Sequence, residues 1–297
     1  MIYFFTCSII WGLTWIAIQY QFHSVDSNAA VFYRFIVASF ILFAYAKIKK
    51  LPLKFNKEEH FYFATQGFFM FCLNYLLTYW ASHMAPSALV ALAFTSLIFF
   101  NMFGGKIFLN LPIEKKVFWG AFVSLAGMAF ISLNEIKSYD LHPTSIIGFV
   151  ISLIATMSAS VGNLVSLKNR KKKISITSNN AWGMFYGAAL TLIYCVAAQK
   201  SFVIRSFDTS FLISFFYLTI FGTIISFGCY LKLIELVGPS KAAFTSVISP
   251  VIAVGISLYF EGLPLTVYLI LGVLFCLAGN IIALAPNYIL RLKTNVN

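Results

Sequence analysis

Residues 112–127 read PIEKKVFWGAFVSLAG, and residues 264–279 read PLTVYLILGVLFCLAG. Pro112, Gly120 and Leu125-Ala126-Gly127 recur as Pro264, Gly272 and Leu277-Ala278-Gly279, all displaced by 152 positions. Working outward, Ser8 and Gly12 recur as Ser158 and Gly162, Phe32-Tyr33 as Phe185-Tyr186, and Pro86-Ser87 as Pro239-Ser240, at offsets of 150 to 153. Chance supplies any one such match. Jointly, in one order and nearly one register, they argue that the chain is a duplication.

Composition says where the two copies live. Hydrophobic residues make up 60% of the 297, charged residues 10%, and mean hydropathy is +0.87. An average soluble domain carries roughly a quarter charged residues. So few polar side chains cannot cover a water-exposed surface, which excludes a soluble globular fold, and disorder and a disulfide scaffold with it. Apolar runs between polar breaks predict spans near 2–20, 28–46, 61–81, 86–105, 117–134, 144–167, 179–199, 210–231, 239–260 and 265–289. The first run follows Met1 directly, without a basic leader or a small-residue cleavage site, and reads as a retained span.

Each copy then holds five spans, and an odd number makes the second copy cross the membrane with opposite polarity. The expected fold class is all-α integral membrane, with ten transmembrane helices as two inverted-topology five-helix repeats. The first repeat covers 1–135 and the second 144–290, with 136–143 a short periplasmic linker and 291–297 a cytoplasmic tail.

The formal charge of +12 tests this arrangement. In a soluble chain it would suggest nucleic acid, but here the charges sit in loops too short to form a binding domain, so no nucleic-acid partner is expected. With a cytoplasmic N-terminus, the inner loops hold five Lys in 47–57, three in 106–116, five Lys/Arg in 168–173, then Lys232, Lys241, Arg291 and Lys293. The outer loops hold only Lys137, Lys200 and Arg205. This bias alternates over every loop and places both termini in the cytoplasm. The lipid bilayer is the partner that the charge reports.

The five cysteines (Cys7, Cys72, Cys195, Cys229, Cys276) fall inside apolar runs, with no CxxC pair. They read as small buried hydrophobes. The four histidines lie in or beside loops, so no metal site is expected. No GxxxxGK[ST] phosphate loop occurs, so the chain is not itself an ATP-driven pump, and no cofactor is expected. An intramembrane enzyme would need paired carboxylates, a membrane-depth His, or a Ser/His or Ser/Lys arrangement. None is visible, and no catalytic residue is assigned. Inverted repeats are instead how transporters reach two exchangeable states around a midplane site. The functional reading is therefore a secondary transporter that exports small molecules by alternating access, with uptake as the alternative and an intramembrane enzyme a distant one. Gly120 and Gly127, like Gly272 and Gly279, are seven apart and share a helix face. Packing within the fold is the first reading of that face, a homodimer seam the second. The lone Gly183/Gly187 GxxxG takes the same reading.

Ionisable residues within spans are candidates for function, because each is costly there. Arg34 lies about two turns below the outer end of the second span. It is read either as an anchor snorkelling to the headgroups or as a contact for a substrate carboxylate or phosphate. Polar and aromatic residues supply the remaining cavity candidates: Trp15 on a face with Ser8 and Trp11; Asn74 on a stripe with Met70 and Thr78; Thr223 and Tyr230 on another with Thr219 and Ser226; and Thr95 and Asn163 on the fourth and sixth spans. Asn74 and Asn163 stand out because a buried carboxamide needs a partner. Trp15, Tyr75 and Tyr79 offer faces for an aromatic or cationic substrate. Pro250, in mid-span, removes a backbone donor and predicts a kink with hinge or gating potential. Glu261 ends the ninth span, and Lys232 with Glu235 brackets the end of the eighth as a solvated pair.

Trp11-Gly12 with Trp15, the Phe32-Tyr33-Arg34-Phe35 start of the second span, Pro239-Ser240 through Pro250, Glu261-Gly262-Leu263-Pro264 and the Gly272 to Gly279 tail resemble the EamA-type drug/metabolite transporters. The resemblance covers nearly the whole chain as two five-span copies. It implies a ten-span carrier of the cell inner membrane, often an exporter of amino acids or other small metabolites. It also implies a cavity between the first four spans of each half, the fifth and tenth being peripheral. Family members generally carry Pro and Glu in both the fourth and ninth spans. Here only Pro250 and Glu261 remain, with Leu97 and Leu109 at the first-copy positions.

Overall fold

The computed structural model describes residues 1–21, 24–138, 143–260 and 265–285. Side chains at 15, 16, 19, 134–138, 257, 259 and 260 lie outside the description, as do Glu261, residues 139–142 of the expected linker and the tail from 286 onward.

Ten helical spans follow one another, with no strand among the described residues. They are α1 (Ile2–Gln19), α2 (Ser27–Ile48), α3 (57–82), α4 (Ser87–Leu109), α5 (Lys115–Ser138), α6 (Pro143–Lys171), α7 (Ile176–Ala197), α8 (Thr209–Val237), α9 (239–260) and α10 (Val267–Leu284). Eight of these regions are long and apolar enough to cross a bilayer; α1 is apolar over Ile2–Thr14, and α3 begins with charged residues. The fold is an all-α integral membrane fold. Polar residues start the helices. Asp26 caps α2 through Asn28 N–H, Asn56 and Glu59 form a reciprocal capping box on α3, Ser175 caps α7, Asp208 caps α8 and Thr266 caps α10. Between α8 and α9 the chain turns at Gly238, whose φ of 85° favours a residue without Cβ.

The packing is symmetric under exchange of the halves. α1 packs on α8 and α9, as α6 packs on α3 and α4; α2 meets α7 and α8, as α7 meets α2 and α3; α5 lies along α10. The duplicated glycines explain the last pair. A Cβ on Gly120 would stand 2.6 Å from the Gly279 carbonyl oxygen and one on Gly279 2.5 Å from that of Gly120. Gly127 and Gly272 are related in the same way, each 2.7 Å from the other's oxygen. The order of partners reverses along the two helices, so α5 and α10 run antiparallel, as an inverted duplication requires. These glycines are consumed by packing within the fold. Gly183 and Gly187 are likewise spent against Gly67 and Phe71 of α3.

Three features depart from a regular α-helical reading. α3 contains a π-helical segment, Gly67–Leu73, and α8 contains its repeat counterpart, Tyr217–Ile225. Stripes spaced for 3.6 residues per turn do not survive these segments: Thr223 and Ser226 donate to carbonyls five residues back, at Leu218 and Phe221. α9 runs helically through Pro250, and its hydrogen-bond ladder is interrupted earlier, at 243–244. Pro250 is the sixth residue of the helix that restarts at Thr245, past the first turn, so it withholds a donor from the helix interior.

Candidate substrate site

The two π segments face the core and share a device. Trp11 of α1 donates its indole N–H to the Gly222 carbonyl in the α8 segment (3.1 Å), and Ser158 of α6 donates to the Phe69 carbonyl in the α3 segment (2.7 Å). In each case the first helix of one repeat satisfies a carbonyl of the third helix of the other. Such segments cluster at functional positions. Around them the centre is filled by rings: Phe227 lies 5.4 Å from Trp11 and 5.0 Å from Phe71, Tyr230 lies 5.1 Å from Trp11, and Phe35 lies 5.2 Å from Phe71 and 4.9 Å from Tyr75.

Below this ring layer, toward the end that carries most loop lysines, an amide network closes the molecule. Asn163 of α6 donates to Asn101 Oδ1 (3.3 Å) and to the Tyr230 hydroxyl (3.0 Å), and Asn101 of α4 donates to the Pro239 carbonyl at the start of α9 (2.9 Å). Four helices are thereby joined in a dry core. Asn163 and Tyr230, named separately as cavity candidates, are thus brought together. Asn101 was missed, although one carboxamide within the run Leu97–Leu109 was the signal that would have found it. At the same end Glu235 is held by Arg170 (2.7 Å) and Lys232 (3.0 Å), and Glu58 by Lys172 (2.7 Å). The Lys172 hydrogen bond holds the Glu58 carboxyl below the usual carboxylate range, and Glu58 in turn raises Lys172. The expected isolated Lys232–Glu235 pair is in fact a three-membered cluster that ties α6 to α8.

Two recesses lie at the opposite, charge-poor end among the described residues. A small vestibule is bounded by Ile18, Gln21, Val25, Ser27, Ala30 and Tyr79. Gln21, Val25 and Ala30 also border a neighbouring chamber of about 180 Å³, whose accessible wall is apolar and includes Tyr33, Phe211 and Phe215. Ser27, Ala30 and Arg34 lie at i, i+3 and i+7 on one face of α2, which puts Arg34 one turn beneath the vestibule.

Arg34 is 7% exposed, and its guanidinium carbon sits 5.1 Å from the Phe35 ring centre and 4.9 Å from that of Tyr75. Its Nε and Nη2 have no hydrogen-bond partner among the described residues. The side chain is folded inward against rings, so it does not snorkel to the headgroups. A charged group in mid-span costs about 2.5 to 3.5 kcal/mol on insertion scales. Two cation–π contacts offset part of that and leave the hydrogen-bonding capacity unspent.

The other candidates are placed in structural roles. Asn74 donates to the Ala155 carbonyl (2.8 Å), Thr95 to the Ala91 carbonyl (3.3 Å) and Thr223 to Leu218, so their polar atoms serve helix contacts. Tyr75 and Tyr79 flank Arg34 and the vestibule. The Trp15 side chain and Glu261 lie outside the described residues.

Two five-helix copies with antiparallel counterparts define a polytopic membrane protein of inverted-repeat construction. The sequence pattern of the EamA-like transporter family matches residues 1–133 and 146–285, and the chain belongs to that family. Among its relatives are the uncharacterized transporter YoaV of Bacillus subtilis, 25% identical over 92% of this chain and 92% of that protein, and the uncharacterized inner membrane transporter YedA of Escherichia coli, 26% identical over 91% and 86%. Protein PagO of Salmonella typhimurium is 22% identical over 95% and 92%. A crystal structure superposes with a TM-score of 0.81 over 99% of this chain and 98% of its own, at 14% identity, which supports the fold.

Proposed function

We propose that the protein is a secondary carrier of the cell inner membrane that exports small metabolites by rocking its two halves around a central site. Both termini lie in the cytoplasm, so the amide-sealed end faces the cytoplasm and the vestibule faces out. The observation that carries this reading is a buried guanidinium with unspent donors, one turn from a small recess at one end, while Asn101, Asn163 and Tyr230 tie helices together at the other. Ends that differ in this way suit a carrier whose access alternates better than a continuous pore.

The test is a flux screen with purified protein in liposomes, using carboxylates, amino acids, amines and nucleotides, run with and without a pH gradient. Saturable flux of one class above protein-free liposomes is expected. Flux equal to empty liposomes for every class, or a non-saturating conductance, contradicts the reading. The pH gradient reports whether protons are coupled.

A further inference from the structure

The unspent atoms of Arg34 specify more than a positive charge. Nε and Nη2 form one edge of the guanidinium, with two parallel N–H bonds, the fork that matches the two oxygens of a carboxylate. Both atoms are buried and neither has a partner among the described residues. The Phe35 and Tyr75 rings leave the charge flanked by π faces rather than by an acid. Asp26 is the carboxylate on the same helix. It lies two turns away, about 12 Å along the axis, and serves as the α2 cap through Asn28 N–H (2.9 Å). It stands too far off to meet the ammonium of an α-amino acid whose carboxylate sits on Arg34.

The second observation is the chamber. Ala30, one turn from Arg34 on the same face, borders both the vestibule and the apolar chamber of about 180 Å³. Tyr33 and Val37, which flank Arg34 along α2, line that chamber with Phe207, Phe211 and Phe215. Arg34 itself lines neither space, but its α2 neighbours Ala30, Tyr33 and Val37 do, so a charged fork and an apolar chamber share one helix and together suit an amphipathic solute.

We infer that Arg34 is the carboxylate-binding group of this carrier, and that the solute is a small monocarboxylate with an apolar or aromatic body and no neighbouring ammonium. The carboxylate takes the Nε/Nη2 edge and the body occupies the chamber between α2 and α8. This rests on the transport reading only for its physiological meaning; the binding site itself is tested without flux.

The experiment is calorimetric titration of the purified full-length protein with 3-phenylpropionate, acetate, 2-phenylethylamine and L-phenylalanine. Wild type is expected to bind 3-phenylpropionate at least tenfold more tightly than any of the other three. Arg34→Gln is expected to lose at least tenfold in affinity for 3-phenylpropionate, and Arg34→Lys to fall between, because an ammonium cannot offer the planar fork. The wild-type panel decides the matter even if a variant fails to fold. Equal or tighter binding of the amine or of phenylalanine, no binding of 3-phenylpropionate, or full affinity in folded Arg34→Gln overturns the inference. A carboxylate bound through Arg34 but not moved across liposomes would leave this site standing and remove the transport reading. Flux of another solute class with no carboxylate bound would do the reverse.

Discussion

Asn163 donates twice from one nitrogen, to Asn101 Oδ1 and to the Tyr230 hydroxyl, in a part of the core where all three residues are buried. Replacing it by leucine strands two buried polar groups. Each costs about 1 to 3 kcal/mol when left without a partner. Asn163→Leu is therefore expected to lower the thermal midpoint of the purified protein markedly. Tyr230→Phe, which deletes one of the stranded groups, is expected to cost less in the Asn163→Leu background than in the wild type. A melt series over the double-mutant cycle measures that difference, and strict additivity would show that the two side chains do not act as a unit. At the rim, Glu58 and Lys172 make an exposed pair. Because the Glu58 carboxyl is held below its ordinary range, its contribution is present at neutral pH and is lost as pH falls through that lowered value. It is screened by salt. Lys172→Met is expected to return the Glu58 carboxyl resonance to the ordinary carboxylate range in an NMR pH titration.

The seam between α5 and α10 is the element on which the duplication rests. Gly120→Leu or Gly279→Val would force a side chain into opposing backbone, where even a Cβ would stand 2.6 or 2.5 Å from a carbonyl oxygen. The helices would have to separate, at a cost of several kcal/mol. Loss of monodisperse protein on size exclusion is expected. Gly228→Ala, whose added Cβ meets nothing within 4 Å, is expected to fold normally and serves as the control. These same glycines show how far the sequence reaches. A seven-residue recurrence identifies a close-packing face, but face alone does not say which helix lies against it; that α10 does follows from the fold. The π segments in α3 and α8 were not legible at all. Their residues, GFFMFCL and YLTIFGTII, are apolar apart from Thr219 and Thr223, and a change from 3.6 to a wider turn leaves no mark in such a run. Arg34 was legible as a charge at a given depth. Its direction was not, because depth follows from position along the helix whereas direction follows from the partners of α2.

At the scale of the whole molecule, the amide network and the Arg170–Glu235–Lys232 cluster close one end, and the Gln21, Ser27 and Tyr79 vestibule marks the other. In a variant with the five native cysteines replaced by alanine, Ser27→Cys is expected to react with a membrane-impermeant thiol reagent in the resting protein. A cysteine at Ser160, which is buried on α6, is expected to stay protected. Equal labelling of both would mean that the centre is open from end to end. Solute movement itself gives the sharpest discrimination between a carrier and a pore. Liposomes containing the protein and loaded with unlabelled solute, for a solute that the flux screen shows to move, are diluted into labelled solute of the same kind. An alternating carrier predicts transient labelled accumulation above the outside concentration, faster than into unloaded vesicles, because each turn exchanges one molecule for another. Uptake that merely equilibrates, at a rate indifferent to what lies inside, would contradict the account.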